Sequence, residues 1–226
     1  MEFPYLICAT LVLASYIVGS LPFGFWISKS LGVDIRNQGS GNIGATNVLR
    51  TLGRKVGITV LILDISKGFL PVLIGSIIIF NQLPDSMLNK EEIKGTIYVL
   101  LAIGAILGHN YTFWLGFKGG KGIATSAGAI MPFLPEVLIG SLFVWILFFF
   151  LSRYVAIASI AAAFSIPILT VSLDHNYLFP EINSSWPVIS FGIIASIMAI
   201  WRHRSNIQRL IKGEEDQFER KIKNKA

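Results

Sequence analysis

The sequence predicts an all-α integral membrane protein with about seven transmembrane helices, built as one multi-span domain over residues 1–226. Three observations predict it. Of the 226 residues 53% are hydrophobic and only 14% are charged, and mean hydropathy is +0.65, outside the range of soluble domains. The apolar residues gather into runs close to the roughly 17 to 25 residues a helix needs to cross the hydrocarbon layer. The cations stand at the ends of those runs, the pattern of a chain oriented by its cytoplasmic loops.

Apolar length and breakers place spans at 4–27, 56–80, 96–113, 122–131, 137–151, 154–173 and 186–201. The first follows Glu2 and lacks a basic leader, so it is expected to stay as a span and not be cleaved as a signal peptide. Asp64 and Lys67 lie inside the second, spaced i, i+3, where ionisable groups need a partner; a mutual ion pair is predicted. The fourth runs for only about ten residues before Pro132 and Pro135, half the length of a crossing. It reads as a tilted segment or a re-entrant half-helix. Cys8 is the sole cysteine, which excludes internal disulfides and multi-cysteine metal sites.

Orientation follows from the 19 Lys and Arg residues. Lys29, Arg36, Arg50, Arg54, Lys55, Lys118, Lys121, Arg153 and the cations from Arg202 to Lys225 fall on one side; Lys90 and Lys94 fall on the other. The cation-rich side is predicted to be cytoplasmic, with the N-terminus outside and the C-terminus inside. The net charge of +6 does not point to nucleic acid, because cations at span ends suit lipid headgroups or anionic metabolites. The outer loop 174–185 carries an Asn-Ser-Ser sequon at Asn183, a pattern that is common by chance.

Three polar segments rich in Gly, Asn and cations interrupt the apolar chain, and all face that same side. In 39–50, Ser40, Gly41 and Asn42 precede a helix start near Gly44, and Thr46, Asn47 and Arg50 share one helical arc. Arg50 offers a two-pronged grip on phosphate. In 108–128, Lys118, Gly119, Gly120, Lys121 and Gly122 precede Ile123, Ala124 and Thr125, and His109 opens the segment. Backbone amides at the glycines, a helix N-terminus at Gly122 and two lysines would suit an anion. It is no P-loop, because Gly122 follows Lys121 where Ser or Thr is required. In 202–215, His203 and Asn206 share a helix face beside Arg202 and Arg209, and His203 is suited to proton exchange near neutral pH. The bland alternatives are positive-inside anchors and tight interhelical turns. Three such segments on one side outweigh them.

In their order and content the three segments resemble those of the bacterial glycerol-3-phosphate acyltransferases that use acyl-phosphate as donor, the PlsY family. The pattern maps onto Ser40, Gly41, Asn42, Gly44, Ala45, Thr46, Asn47 and Arg50, then onto Gly108, His109, 118–122, Ala124 and Thr125. It ends with Arg202, His203, Asn206, Arg209, Gly213 and Glu215. Thr112 stands where a proline is common and Glu214 where a threonine often precedes the last glutamate. The resemblance implies transfer of a fatty acyl group from acyl-phosphate to the 1-hydroxyl of sn-glycerol 3-phosphate, giving lysophosphatidate and inorganic phosphate. Implied catalytic residues are His203, Asn206, Arg50 and Lys121. Implied substrate-binding residues are Ser40, Gly41, Asn42, Thr46, Asn47, His109, Lys118, Gly119, Gly120, Gly122, Thr125, Arg202 and Glu215. Partners implied are the two substrates, membrane lipids and the enzyme that makes acyl-phosphate; no cofactor or metal is expected. The His-x4-Asp pattern of acyl-CoA-dependent relatives is absent, as is a Gly-x-Ser-x-Gly nucleophile. The rival reading is a transporter of a phosphorylated metabolite, disfavoured by the lack of repeated halves.

Overall fold

The structure is a computed structural model that describes residues 4–84, 86, 88–173 and 185–218; the sequon at Asn183 lies outside them. Among the described residues there are ten α-helices and no strand. They are α1 (Tyr5–Gly19), α2 (Phe23–Ser30), α3 (Ala45–Leu52), α4 (Arg54–Phe80), α5 (Lys90–Asn110), α6 (Ile123–Ile130), α7 (Pro135–Ser152), α8 (Val155–Ser172), α9 (Trp186–Arg202) and α10 (Arg204–Lys212).

The first span divides at Pro22, which has no N–H to give and disfavours helical backbone at Leu21. α4 runs through Pro71 without a break, as membrane helices tolerate when neighbours take up the freed carbonyl. Between α3 and α4 stands Gly53 at φ 89°, and α3 folds back on the start of α4.

Side-chain contacts fix the helix directions. Ser15 donates to the Leu101 carbonyl (2.7 Å) and Tyr16 to that of Tyr111 (2.8 Å), so α1 and α5 run parallel. Phe80 meets Tyr98 edge-on at 5.1 Å, so α4 runs against α5. α9 begins beside Gly95 and ends with Arg202 at Gly119 and Gly120, parallel to α5. Trp145 bonds Ser159 (3.2 Å) in the antiparallel pair α7 and α8. The backbone N–H of Phe218 donates to the Arg153 carbonyl (3.0 Å), bringing the α7–α8 turn to the end where α9 finishes. All three polar segments therefore share one end of the bundle. Tyr5 lies toward the other.

Among the described residues five helical segments are long and apolar enough to cross a membrane, six when α9 and α10, bent by 50°, count as one. The prediction was about seven, and the difference is α6. It has eight residues, about 12 Å of helix, far short of a 30 Å layer. The turn that follows carries the chain onward, since Phe133 stacks on Tyr98 (5.1 Å) and meets Phe191 (5.8 Å) near the far end. α6 lies deep against α4 because Gly68 and Gly128 meet at the crossing. A Cβ on either would overlap the carbonyl oxygen of Thr125 or Ile65.

Asp64 and Lys67 form the predicted ion pair at 2.8 Å, and the Lys67 ammonium also donates to the Leu21 carbonyl (2.7 Å) exposed by the α1–α2 break. α7 is the opposite extreme, with 11% of its residues buried: it leans on α8 and presents most of its surface outward.

Candidate active site

The first polar segment is a loop pinned by one amide. Asn47 is buried at the start of α3, and its Nδ2 donates to the carbonyls of Asn42 (2.9 Å), Gln38 (3.0 Å) and Ile35 (3.3 Å). Its Oδ1 accepts from the Ser40 amide (3.0 Å). Asn42 in turn accepts from Gly44 N–H (2.9 Å), an Asx turn that starts the helix. The sequence placed Asn47 on the substrate; the structure uses its polar atoms to shape residues 35–42. Ser40, Asn42, Thr46, Asn47 and Arg50 all line a cavity.

The glycine segment differs from its prediction in a similar way. The N–H groups of Gly119 and Gly120 donate to the carbonyls of Asn110 (3.2 Å) and His109 (3.1 Å), so both amides are engaged by the chain's own backbone. Their own carbonyls accept from Arg202, with Nε to Gly120 at 3.0 Å and Nη2 to Gly119 at 2.9 Å. Arg202, expected on substrate, instead clamps this loop and stacks on Tyr111 at 5.2 Å. Gly120 admits no side chain, because a Cβ there would overlap the His109 ring. His109 is buried and bonds Thr125 (3.1 Å between Oγ1 and Nδ1), with Asp64 3.8 Å away. What faces the cavity is the start of α6, Gly122, Ile123 and Ala124, where no side chain caps the helix. Its uncapped first-turn amides and the positive end of its dipole are of the kind that suits an anion.

The third segment supplies the most directed polar groups. His203 Nδ1 lies 2.8 Å from the Ala199 carbonyl, and a carbonyl only accepts, so the neutral ring keeps its proton on Nδ1 and a lone pair on Nε2. Asn206 Nδ2 donates to Glu215 (2.7 Å), whose other oxygen accepts from Arg209 (2.8 Å). This leaves Asn206 Oδ1 buried without a partner. Buried acceptors in that state cost stability and point to a missing donor. Arg50 contacts the tail, at 2.9 Å from the Asp216 carbonyl oxygen and 3.4 Å from its carboxylate.

Two cavities meet here. The outer one, about 260 Å³, is lined by Arg36, Gly41, Lys118 and Arg209. The inner one, about 400 Å³, takes in Arg50, His109, His203, Asn206 and Glu215, then runs down an apolar groove. Ser40, Asn42 and Lys121 belong to both. The two lysines thus separate: Lys118 is exposed and serves only the outer cavity, while Lys121 stands at the junction. Burial lowers the Lys121 pKa to about 8, with Glu215 opposing the shift and Arg209, Arg50 and Arg202 adding to it. An anion bound there would restore the ordinary value.

The groove descends between α4, α6, α7, α8 and α9. α8 lines it with Val155, Ala156, Ser159, Ala162, Ala163 and Ile166, one face of the helix, small except at its two ends. Ile130, Leu138 and Ile166 close the floor, with the buried rings of Phe133 and Phe191 in the core next to them. From Val155 to Ile166 the depth is about 16 Å, half the ~30 Å hydrocarbon layer.

Sequence reasoning assigned no role to Arg36, Asn110 or residues 216–218. Arg36 forms a forked pair with Asp34 (2.9 and 2.7 Å) at the outer cavity. Asn110 Oδ1 is buried without a partner beside Gly122. Its place next to His109 was the one signal available. Thr112, the departure from proline, donates its hydroxyl to the Ser20 carbonyl and so ties α1 to the segment after α5.

Comparison with known proteins agrees with this geometry. Residues 9–213 match the family model for glycerol-3-phosphate acyltransferase. A glycerol-3-phosphate acyltransferase of Geotalea daltonii is 40% identical over 93% of this chain and 97% of its own, and one of Aquifex aeolicus is 39% identical over 92% and 97%. Among solved structures, the integral membrane glycerol 3-phosphate acyltransferase PlsY in its glycerol 3-phosphate form superposes with TM-score 0.79 at 38% identity, covering 94% of this chain and 96% of that one. Its lysophosphatidic acid form gives 0.77 at 37%, covering 94% and 95%. The chain belongs to the PlsY family of integral membrane glycerol-3-phosphate acyltransferases.

Proposed function

We propose that this protein transfers a fatty acyl group from acyl-phosphate to the 1-hydroxyl of sn-glycerol 3-phosphate, releasing lysophosphatidate and inorganic phosphate. The observation that carries the reading is the shape of the inner cavity: cationic and hydrogen-bonding at one end, apolar for the depth of one leaflet at the other. A donor with an anionic head and a fatty chain fits both parts. The solved PlsY structures named above, in glycerol 3-phosphate and lysophosphatidic acid forms, support the acceptor.

In this reading the donor phosphate lies at the α6 N-terminus with Lys121 and Arg50, and Lys118 and Arg36 draw glycerol 3-phosphate into the outer cavity. His203 Nε2 accepts the hydrogen bond of the attacking hydroxyl and takes its proton, while Asn206 Oδ1 accepts from the other hydroxyl of the glycerol. The hydroxyl oxygen bonds the acyl carbon, the carbon–oxygen bond to phosphate breaks, and Lys121 stabilises the charge that leaves. The donor is already activated, so alignment supplies much of the rate. We place the polar end at the cytoplasmic face of a bacterial inner membrane, with the N-terminus outside, on the charge distribution.

The test gives the purified protein glycerol 3-phosphate with acyl-phosphate, acyl-CoA or acyl-carrier protein in turn. Lysophosphatidate from acyl-phosphate alone is expected. Product from another donor overturns the donor assignment, and no product with phosphate-ester uptake into vesicles favours a transporter.

A further inference from the structure

We infer that residues 216–218 roof the donor site, holding Arg50 at the cavity rim and keeping water from the activated acyl group. They lie beyond the residues matched by the family model, which end at 213. The inference rests on the acyl-phosphate reading above.

The tail is fixed before it reaches the rim. It leaves α10 at Gly213, and the Glu215 side chain, only 5% exposed, is bound by Asn206 and Arg209 on the cavity wall. Asp216 then accepts from both ends of the Arg50 guanidinium. Gln217 Nε2 donates to the Ser152 carbonyl (3.1 Å) and Phe218 N–H to that of Arg153 (3.0 Å). The Phe218 ring lies 4.8 Å from the Arg50 guanidinium and 5.8 Å from the Phe149 ring. Arg50 belongs to α3 and Phe149 to Arg153 to the end of α7. A three-residue strap therefore joins Arg50, on the polar wall of the inner cavity, to the end of α7 above the part of that helix that lines it.

The groove beneath has another way in. Leu61 on α4 and Leu142 on α7 both line the cavity and remain 41% and 52% exposed. A fatty donor can pass between them from lipid without crossing the strap. The strap instead stands between the reacting carbonyl and bulk water. In transfer, the glycerol oxygen bonds the acyl carbon as phosphate leaves. With the roof open, a water oxygen makes the same bond, its proton passes to the departing phosphate, and the products are a fatty acid and inorganic phosphate. Excluding water prevents that side reaction. The Asp216 carboxylate is weakly engaged, at 3.4 Å and 61% exposed, so a donor phosphate can displace it from Arg50 while Phe218 keeps the guanidinium in place.

The experiment compares the full-length wild type with Phe218→Ala, Phe218→Leu and the double variant Gln217→Ala/Phe218→Ala. Free fatty acid and lysophosphatidate released from acyl-phosphate are measured together, with KM for both substrates. The double variant is expected to raise the ratio of fatty acid to lysophosphatidate about tenfold and to raise KM for acyl-phosphate but not for glycerol 3-phosphate. Phe218→Leu, which keeps an apolar side chain, should fall between, and it carries the result if the alanine variants fail to fold. An unchanged ratio, or both products falling in parallel, overturns the roof. A wild type that makes no lysophosphatidate from acyl-phosphate overturns the donor reading instead.

Discussion

The two ends of the inner cavity are built on different rules. At the polar end, side chains are held by named partners from distant parts of the chain: Asn206 by Glu215, His203 by Ala199, Arg50 by Asp216, the glycine loop by Arg202. At the apolar end the wall is one small-residue face of α8 and a floor of aliphatic side chains next to aromatic rings. The first end is specified atom by atom, because a buried polar group needs a partner at the right distance and angle. The second is specified by volume. Substitutions should therefore be severe and qualitative at one end, graded at the other.

The largest effects are expected from the groups assigned to substrate. Lys121→Ala, His203→Ala, Asn206→Ala and Arg50→Ala should each lower kcat/KM by about 10²-fold or more in an acyl-phosphate assay. Cys8→Ala, a packing position on α1, should leave the rate unchanged. Near-normal turnover in all four would remove the distinction between the two ends.

Next comes a residue that shapes the polar end through its bonds to backbone. Asn47→Ala leaves several buried backbone groups unpaired and should cost about 1 to 3 kcal/mol of stability as well as activity. Thermal unfolding in detergent checks it, and a loss of activity with unchanged stability would return Asn47 to the substrate. At the apolar end, Ala163→Phe should shift donor preference toward shorter acyl chains, with glycerol 3-phosphate KM unaffected. Competition among donors of different length reads this directly; loss of all donors alike would mean that the groove does not measure the chain.

The smallest effect is that of pH. Lys121 binds anions only when protonated, and its pKa of about 8 in the free protein means that the charge is present below pH 8 and lost above it. Above pH 7.5 the substrate phosphates, with second pKa near 6, no longer titrate. A decline in kcat/KM centred near pH 8 is therefore expected to belong to Lys121. kcat should decline at higher pH, because bound phosphate raises the lysine pKa. Lys121→Arg should abolish the decline between pH 8 and 9 even if its rate is lower.

The two ends were also unequally legible in the sequence. The polar segments stood out because Gly, Asn and cations are costly inside a membrane and rare without cause. Their membership in one site followed from charge counting, but what each does there did not. Asn47, Gly119, Gly120 and Arg202 are all of phosphate-binding type, and the structure gives their hydrogen bonds to the chain's own backbone. Nothing in residue type separates a donor that faces a ligand from one that faces a carbonyl across the fold. The apolar groove was not legible at all. Val155, Ala156, Ser159, Ala162, Ala163 and Ile166 form a periodic face like any packing surface, and only the gap between α7 and α4 makes it a wall. The fourth span was flagged as short by its length alone, whereas its depth required Gly68, Gly128 and Phe133 to be seen in place.

Composition and the order of its runs determined that this chain is helical, enters a membrane many times and keeps its cations to one side, because hydrocarbon forbids charge and unpaired backbone wherever the segment lies. Those constraints are local, so they can be read residue by residue. The separate placement of Lys118 and Lys121, the spending of the glycine amides on backbone, the lone acceptor of Asn206 and the strap over Arg50 were decided by tertiary structure. Hydrogen bonds depend on distances of a few tenths of an ångström between residues as far apart in sequence as Arg50 and Asp216.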